Sequence, residues 1–126
     1  MIVVDTSALM AILLGDAEAD RCAAVLEAED RVFLSSGTMA EALIVAARRN
    51  LGDEMKRLID GLGFEIVSVT AATAVGVGQA YERWGKGVHP AALNFGDCFA
   101  YALAREKGCP LLSVGDDFTQ TDLERA

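Results

Sequence analysis

Apolar and polar residues along this chain repeatedly switch between the two-residue period of strands and the 3.6-residue period of helices. Ile2 to Val4 is a short β-branched run ending at Asp5, and the segment Thr6 to Leu14 that follows is helical in composition. Ala19, Cys22, Ala23, Val25 and Leu26 recur at helical spacing. Val32-Phe33-Leu34 reads as a second strand, followed by the cap-like Ser35-Ser36-Gly37-Thr38 and a helix running to about Asn50. Gly52 fits the stop of that helix, and Asp53 the cap of the next, whose apolar stripe is Met55, Leu58, Ile59 and Leu62. Glu65 to Val69 alternates as a third strand before a small-residue helix from about Thr70 to Trp84, and Gly85 to Pro90 is a loop. Asn94 caps a helix reaching Lys107, Gly108 ends it, and Pro110 to Val114 reads as a fourth strand before Gly115-Asp116-Asp117-Phe118. Strands alternating with helices predict an α/β fold with a parallel sheet covered on both faces.

The 126 residues fit one domain, and a hydrophobic share of 52% is ample for one core. The Met-Ile-Val-Val start lacks a basic region, and the apolar run Ala8 to Leu14 is interrupted by Gly15-Asp16, short of a membrane span or secretory signal. These features predict a cytoplasmic protein without a membrane anchor. Cys22, Cys98 and Cys109 show no paired spacing and His89 is the single histidine, so buried free thiols are expected rather than a zinc site. The net charge of −8 opposes nucleic-acid binding, because phosphate affinity comes mainly from lysine and arginine. A bound divalent ion would reverse the sign locally. Arg48, Arg49, Lys56 and Arg57, and then Arg83 and Lys86, form either basic patches or solvated helix faces.

Acidic residues stand at the junctions of these elements: Asp5, Glu41, Asp97 and Asp116 with Asp117. Each has a local structural explanation. Asp5 suits a helix N-cap, Thr38-x-x-Glu41 and Asn94-x-x-Asp97 match capping boxes, and Asp116-Asp117 follows a glycine as turn residues do. Jointly they mean more, because in an alternating α/β chain such junctions gather in one crevice at the carboxyl ends of the strands. Carboxylates crowded within about 4–6 Å resist ionising together, so the crevice calls for a cation. All-oxygen ligation suits Mg2+ or Mn2+, and phosphodiester hydrolysis is the chemistry that such a site serves.

Val3-Val4-Asp5-Thr6-Ser7-Ala8-Leu9, Glu41, Leu93-Asn94-Phe95-Gly96-Asp97-Cys98 and Gly115-Asp116-Asp117-Phe118 with Thr121-Asp122 resemble, in order and spacing, the PIN-domain ribonucleases. The likeness is greatest to the VapC-type toxins of bacterial toxin–antitoxin pairs. It spans essentially the whole chain, so residues 1–126 are expected to be one PIN domain. It implies a PIN-like three-layer α/β/α sandwich around a mostly parallel sheet. It further implies Mg2+-dependent endoribonuclease activity, with Mn2+ able to substitute, and inhibition by a cognate antitoxin. Carried over by position, Asp5 and Asp97 would hold the metal, with Glu41 completing an acidic triad and Asp116 the fourth catalytic acid. Asp117 competes for that last place, and Thr6 and Asn94 would support the ligands through hydrogen bonds. A final edge strand after Thr121-Asp122 would be short or absent.

Two other acidic α/β families fit poorly. A phosphorelay receiver needs an acidic pair after its first strand and a late lysine, but Asp5 adjoins Thr6 and no lysine follows Lys107. A haloacid-dehalogenase-type phosphatase needs a second aspartate two places on, where Ser7 stands. A catalytically silent PIN-like binding domain remains the alternative, and metal-dependent RNA cleavage separates it from the enzyme. The resemblance to the toxins, together with a mean hydropathy of +0.30 that is high for a small domain, leads us to expect a homodimer, with apolar surface on the helices from Thr38 to Leu62 covered by a second copy and by the antitoxin.

Overall fold

The computed structural model describes residues 1–126. In chain order the elements are β1 (Ile2–Val4), α1 (Thr6–Leu14), α2 (Ala19–Ala28), β2 (Val32–Ser35), α3 (Ser36–Ala47), α4 (Gly52–Leu62), β3 (Glu65–Val67), α5 (Ala71–Trp84), α6 (Phe95–Lys107) and β4 (Leu111–Leu112). The four strands form one sheet in the order β3-β2-β1-β4. Every pairing is parallel, with Val3 opposite Phe33 on one side and Leu111 on the other. Parallel neighbours need crossovers, and the helices supply them on both faces.

The period of two along β1 divides the core. Val3 packs with Phe33, Leu111, and Val77, Trp84, Leu103 and Tyr101 of α5 and α6. Ile2 and Val4 point the other way, to Leu34, Leu112, and Leu9, Leu26, Ala42, Met55 and Ile59 of α1 to α4. Two cores on one central sheet give the three-layer α/β/α sandwich expected from the sequence. No helix is long and apolar enough to cross a membrane. All three cysteines are buried free thiols, as expected.

Some boundaries differ, each for a local reason. The third helix ends at Ala47 rather than Asn50, because Asn50 adopts φ 60° and turns the chain so that Leu51 N–H bonds Ala46 C=O at 2.8 Å. Gly52 therefore opens α4 instead of stopping α3, with Leu51 as N-cap and Asp53 in the first turn. Ser35 is the N-cap of α3, its hydroxyl accepting from Gly37 N–H at 3.2 Å, so the Thr38–Glu41 capping box does not form. Strand β4 keeps only Leu111–Leu112, since proline 110 has no N–H to give and Val114 N–H bonds the Ser7 hydroxyl at 2.9 Å. Beyond it the chain adds a single bridge, Leu111 to Arg125, in place of a further strand.

Candidate active site

The carboxyl end of β1 delivers Asp5 directly into the N-cap of α1, with extended φ −98° and ψ 159°. One carboxylate oxygen, Oδ2, accepts from Ser7 N–H at 3.2 Å and from the Ser7 hydroxyl at 2.7 Å. The other, Oδ1, is buried and has no hydrogen-bond partner, in a residue only 3% exposed. Ser7 in turn accepts from Val114 N–H, so one hydroxyl holds Asp5 and ties the start of α1 to the end of β4. Sequence reasoning placed Ser7 only within the Asp5 motif. The signal that marks it is Asp-x-Ser at a helix start, where a second side chain competes for local backbone groups.

Asn94 and Asp97 form the capping box that their spacing predicts. Asp97 N–H donates to Asn94 Oδ1 at 2.8 Å, and Asp97 Oδ2 accepts from Asn94 N–H at 3.0 Å. Asp97 is 6% exposed and uses one oxygen in the cap. Glu41, one turn into α3, reaches across to α1, where Oε1 accepts from the Thr6 hydroxyl at 2.5 Å. This contact depends on Gly96: a Cβ there would collide with the Glu41 carboxylate. The glycine of the Asn-Phe-Gly-Asp motif thus lets α3 lean on the first turn of α6.

Asp5, Glu41 and Asp97 consequently share one neighbourhood, and their charges act on one another. Burial pushes Asp5 up from 3.8 to about 6 despite the Ser7 hydrogen bonds that pull it down, and Glu41 adds repulsion. Burial likewise pushes Asp97 up to about 7 against the Asn94 N–H bond, with Asp5, Asp117 and Glu41 repelling its charge. In the last loop it is Asp117 that acts on Asp97. Asp116 instead lines a surface pocket with Glu18, Arg21, Gly115 and Arg125. Cys98 is raised to about 11 by burial first and Asp97 second, so its thiol stays protonated at neutral pH.

No three acidic, histidine or cysteine side chains converge here as a closed metal cage. The donor set still fits a hard cation, because magnesium is usually bound through one or two carboxylates plus waters and substrate phosphates. The unpartnered buried Oδ1 of Asp5 is the observation that favours this fit, since a buried acceptor without a donor is costly. Two more buried hydroxyls without partners, Thr38 and Ser113, also lie at the carboxyl end of the sheet. Neither was singled out as a ligand from sequence; the signal for Ser113 is a hydroxyl interrupting the apolar run from Leu111 to Val114.

Comparison with known proteins places this arrangement. A family model described as PIN domain matches residues 2–124. Ribonuclease VapC36 of Mycobacterium tuberculosis is 44% identical over 126 aligned positions, covering 97% of this chain and 91% of its own length. Ribonuclease VapC30 of the same species is 40% identical over 124 positions, covering 96% and 95%. Among solved structures, M. tuberculosis VapC20, described as a sarcin-ricin loop cleaving toxin, matches with a TM-score of 0.82 at 20% identity, over 100% of this chain and 98% of that one. VapBC2 from Rickettsia felis, bound to a DNA fragment from its promoter, gives 0.74 at 14% identity, over 100% and 98%. At such identities the structural likeness speaks for the fold.

Proposed function

Because the chain belongs to the PIN-domain family, and within it to the VapC ribonucleases, we propose that it is a metal-dependent endoribonuclease, the toxin of a toxin–antitoxin pair. Its ion would be Mg2+, with Mn2+ able to substitute, held by Asp5 and Asp97. The observation that carries this reading is the burial of these two carboxylates side by side, one with an unpartnered oxygen and both with raised pKa values. A site that disfavours its own negative charge gains most from a cation.

When bound, the ion supplies a lowered pKa for an attacking water and charge stabilisation for the phosphoryl oxygens. The chain's own residues do the rest. Ser7 and Asn94 fix the rotamers of Asp5 and Asp97 by occupying one oxygen of each, leaving the others for ligation. Thr6 fixes Glu41 through Oε1, which leaves Oε2 to orient the nucleophilic water or accept its proton. Asp117, which already acts on Asp97, serves as the fourth acid in preference to Asp116.

The partners follow from the same reading. The solved neighbours include VapBC complexes, and an antitoxin segment that places a basic side chain beside Asp5, Glu41 and Asp97 would block the site by replacing the cation. A homodimer would cover apolar surface such as Ile44 and Val45 on α3. The test is cleavage of total RNA by purified protein with Mg2+, with Mn2+ and with chelator. Metal-dependent cleavage that Asp97→Asn lowers by two or more orders of magnitude supports the enzyme. Metal-independent cleavage, or full activity in Asp97→Asn, removes the metal assignment.

A further inference from the structure

An apolar groove of about 380 Å3 lies between α5 and the first turns of α6, bordered by Val77, Gly78, Tyr81, Phe95 and Phe99, and no charged side chain lines it. Two of its aromatic residues are open to solvent, Phe95 at 70% and Tyr81 at 39%. Phe95 meets Phe99 edge to face, with centroids 4.9 Å apart at 83°. Phe99 is in turn wedged against Gly37, where a Cβ would strike its ring. The exposed ring is therefore carried on a fixed support. Phe95 also lies two residues before Asp97, in the same first turn of α6 that holds the acidic site.

Charge decides what such a ring is for. The chain carries −8, and Arg21, Arg31, Lys56, Arg57, Arg83 and Arg105 are all committed to carboxylates. Of the eleven lysines and arginines this leaves Arg48, Arg49, Lys86, Lys107 and Arg125 outside ion pairs, on a chain whose net charge repels a phosphate backbone, so affinity for a single strand gains from a charge-independent source. Base stacking on an aromatic face is such a source and tolerates any base. At the far end, Tyr81 bonds the backbone carbonyl of Lys86 at 3.4 Å, and Lys86 is exposed and in no ion pair, available to one phosphate.

We propose that Phe95, with Tyr81 further along the groove, is the base-stacking platform that seats an unpaired RNA nucleotide beside the Asp5–Asp97 site. The inference rests on the ribonuclease reading and adds the substrate contact to it: the RNA enters single-stranded or as a loop, with its bases on the α5–α6 groove and its phosphate at the acids. Phe95 makes this contact directly, so its loss acts on substrate engagement and leaves the metal site intact.

The test compares wild type with Phe95→Ala, Phe95→Leu and Phe95→Trp on a single-stranded RNA oligonucleotide containing 2-aminopurine, whose fluorescence is quenched on stacking. The expected result is a loss in kcat/KM of roughly 5- to 150-fold for Phe95→Ala, the range of one base–aromatic contact. Phe95→Leu should lose nearly as much and Phe95→Trp should retain activity, since leucine keeps the apolar bulk but not the π face. Melting temperature should stay at the wild-type value in all three, and the quench in chelator should disappear with alanine and leucine. Cleavage that is unaffected by Phe95→Ala and Phe95→Leu overturns the platform while leaving the nuclease standing. Phe95→Leu matching wild type while Phe95→Ala loses dimer on size-exclusion chromatography overturns it in favour of a second copy seated in the groove. If wild type cleaves no RNA, the nuclease reading falls, and the chelator quench alone then decides for or against the platform.

Discussion

Replacing Asp97 with asparagine should stabilise the metal-free protein, and by an amount that depends on pH. The carboxyl is raised from 3.8 to about 7, by burial first and by Asp5, Asp117 and Glu41 after it. A folded-state pKa above the unfolded value means that the folded protein holds the proton more tightly. Stability is therefore fullest below about pH 4 and is lost as pH rises through the folded pKa. At about 1.4 kcal/mol per pH unit the full penalty above pH 7 is on the order of 4 kcal/mol, and relaxation around the charge reduces it to roughly 2–4 kcal/mol. Asparagine keeps an oxygen to accept from Asn94 N–H, so the helix cap survives while the charge goes. For a domain of this size the gain corresponds to roughly 5–15 °C in Tm. The assay is a set of melting curves in chelator from pH 5 to pH 8, repeated with saturating Mg2+. Variant minus wild type should grow with pH in chelator and shrink with Mg2+, because an ion that binds the folded state at 100 times its Kd adds about 2.7 kcal/mol to wild type. An Asp97→Asn protein that melts below wild type at pH 8 in chelator would refute the charge-crowding argument and leave Asp97 as a helix cap alone.

Asp117→Asn should reduce RNA cleavage by roughly 10-fold or more, whereas Asp116→Asn should change it little; equal effects from the two, measured as initial rates under Mg2+, would remove the assignment drawn from the charge acting on Asp97. Gly96→Ala should cost roughly 1–3 kcal/mol by overpacking and lower activity as well, because its Cβ displaces the Glu41 carboxylate; a variant with wild-type Tm and wild-type rate would show that the close approach does not matter. Tyr101→Phe removes the hydroxyl that accepts from Trp84 Nε1 at 2.8 Å and donates to Asp122 at 2.6 Å, and should cost about 1–3 kcal/mol in chemical denaturation with kcat unchanged. A fall in kcat without loss of stability would tie that network to the chemistry instead.

Three of the strands were legible because they are short runs rich in β-branched or aromatic residues, while β4, only Leu111–Leu112, was marked by the apolar run between Pro110 and Gly115. The ends of the elements were less so. Glycine 52 looked like a stop, but Asn50 took the left-handed position first, and a propensity for φ above zero does not say which of two nearby candidates uses it. Glu41 shows the same limit at the site. Its spacing from Thr38 satisfied a capping box, while its partner is Thr6, 35 residues away, and only tertiary packing across Gly96 brings the two together. Asp97 and Asn94 were readable as a capping box because that interaction is local. The choice between Asp116 and Asp117 was not, since neighbouring turn residues point in different directions and the sequence fixes neither.

The acids of this site answer two demands that are usually separate, and the geometry explains how one side chain meets both. A carboxylate at a helix N-terminus gains from the amides there and from the helix dipole, by about 0.3–1 kcal/mol at exposed positions. Asp5 and Asp97 both occupy such positions, one as N-cap of α1 and the other in the first turn of α6. Each spends one oxygen on its cap and is left with a second that the protein does not satisfy in the case of Asp5. The caps thus hold the carboxylates in place before a cation arrives, and the helix termini offset part of the repulsion that would otherwise expel them. Removing the whole side chain abolishes cap and charge together, so alanine variants at Asp5 and Asp97 lose activity while their stability mixes the loss of the cap with the relief of charge crowding, and alone they cannot apportion the two. Asparagine preserves the cap and removes only the charge. Comparing the alanine and asparagine variants in chelator, at a pH above 7, therefore separates the two roles: alanine should fall below asparagine by about 1 kcal/mol, the worth of a cap, at equal loss of cleavage.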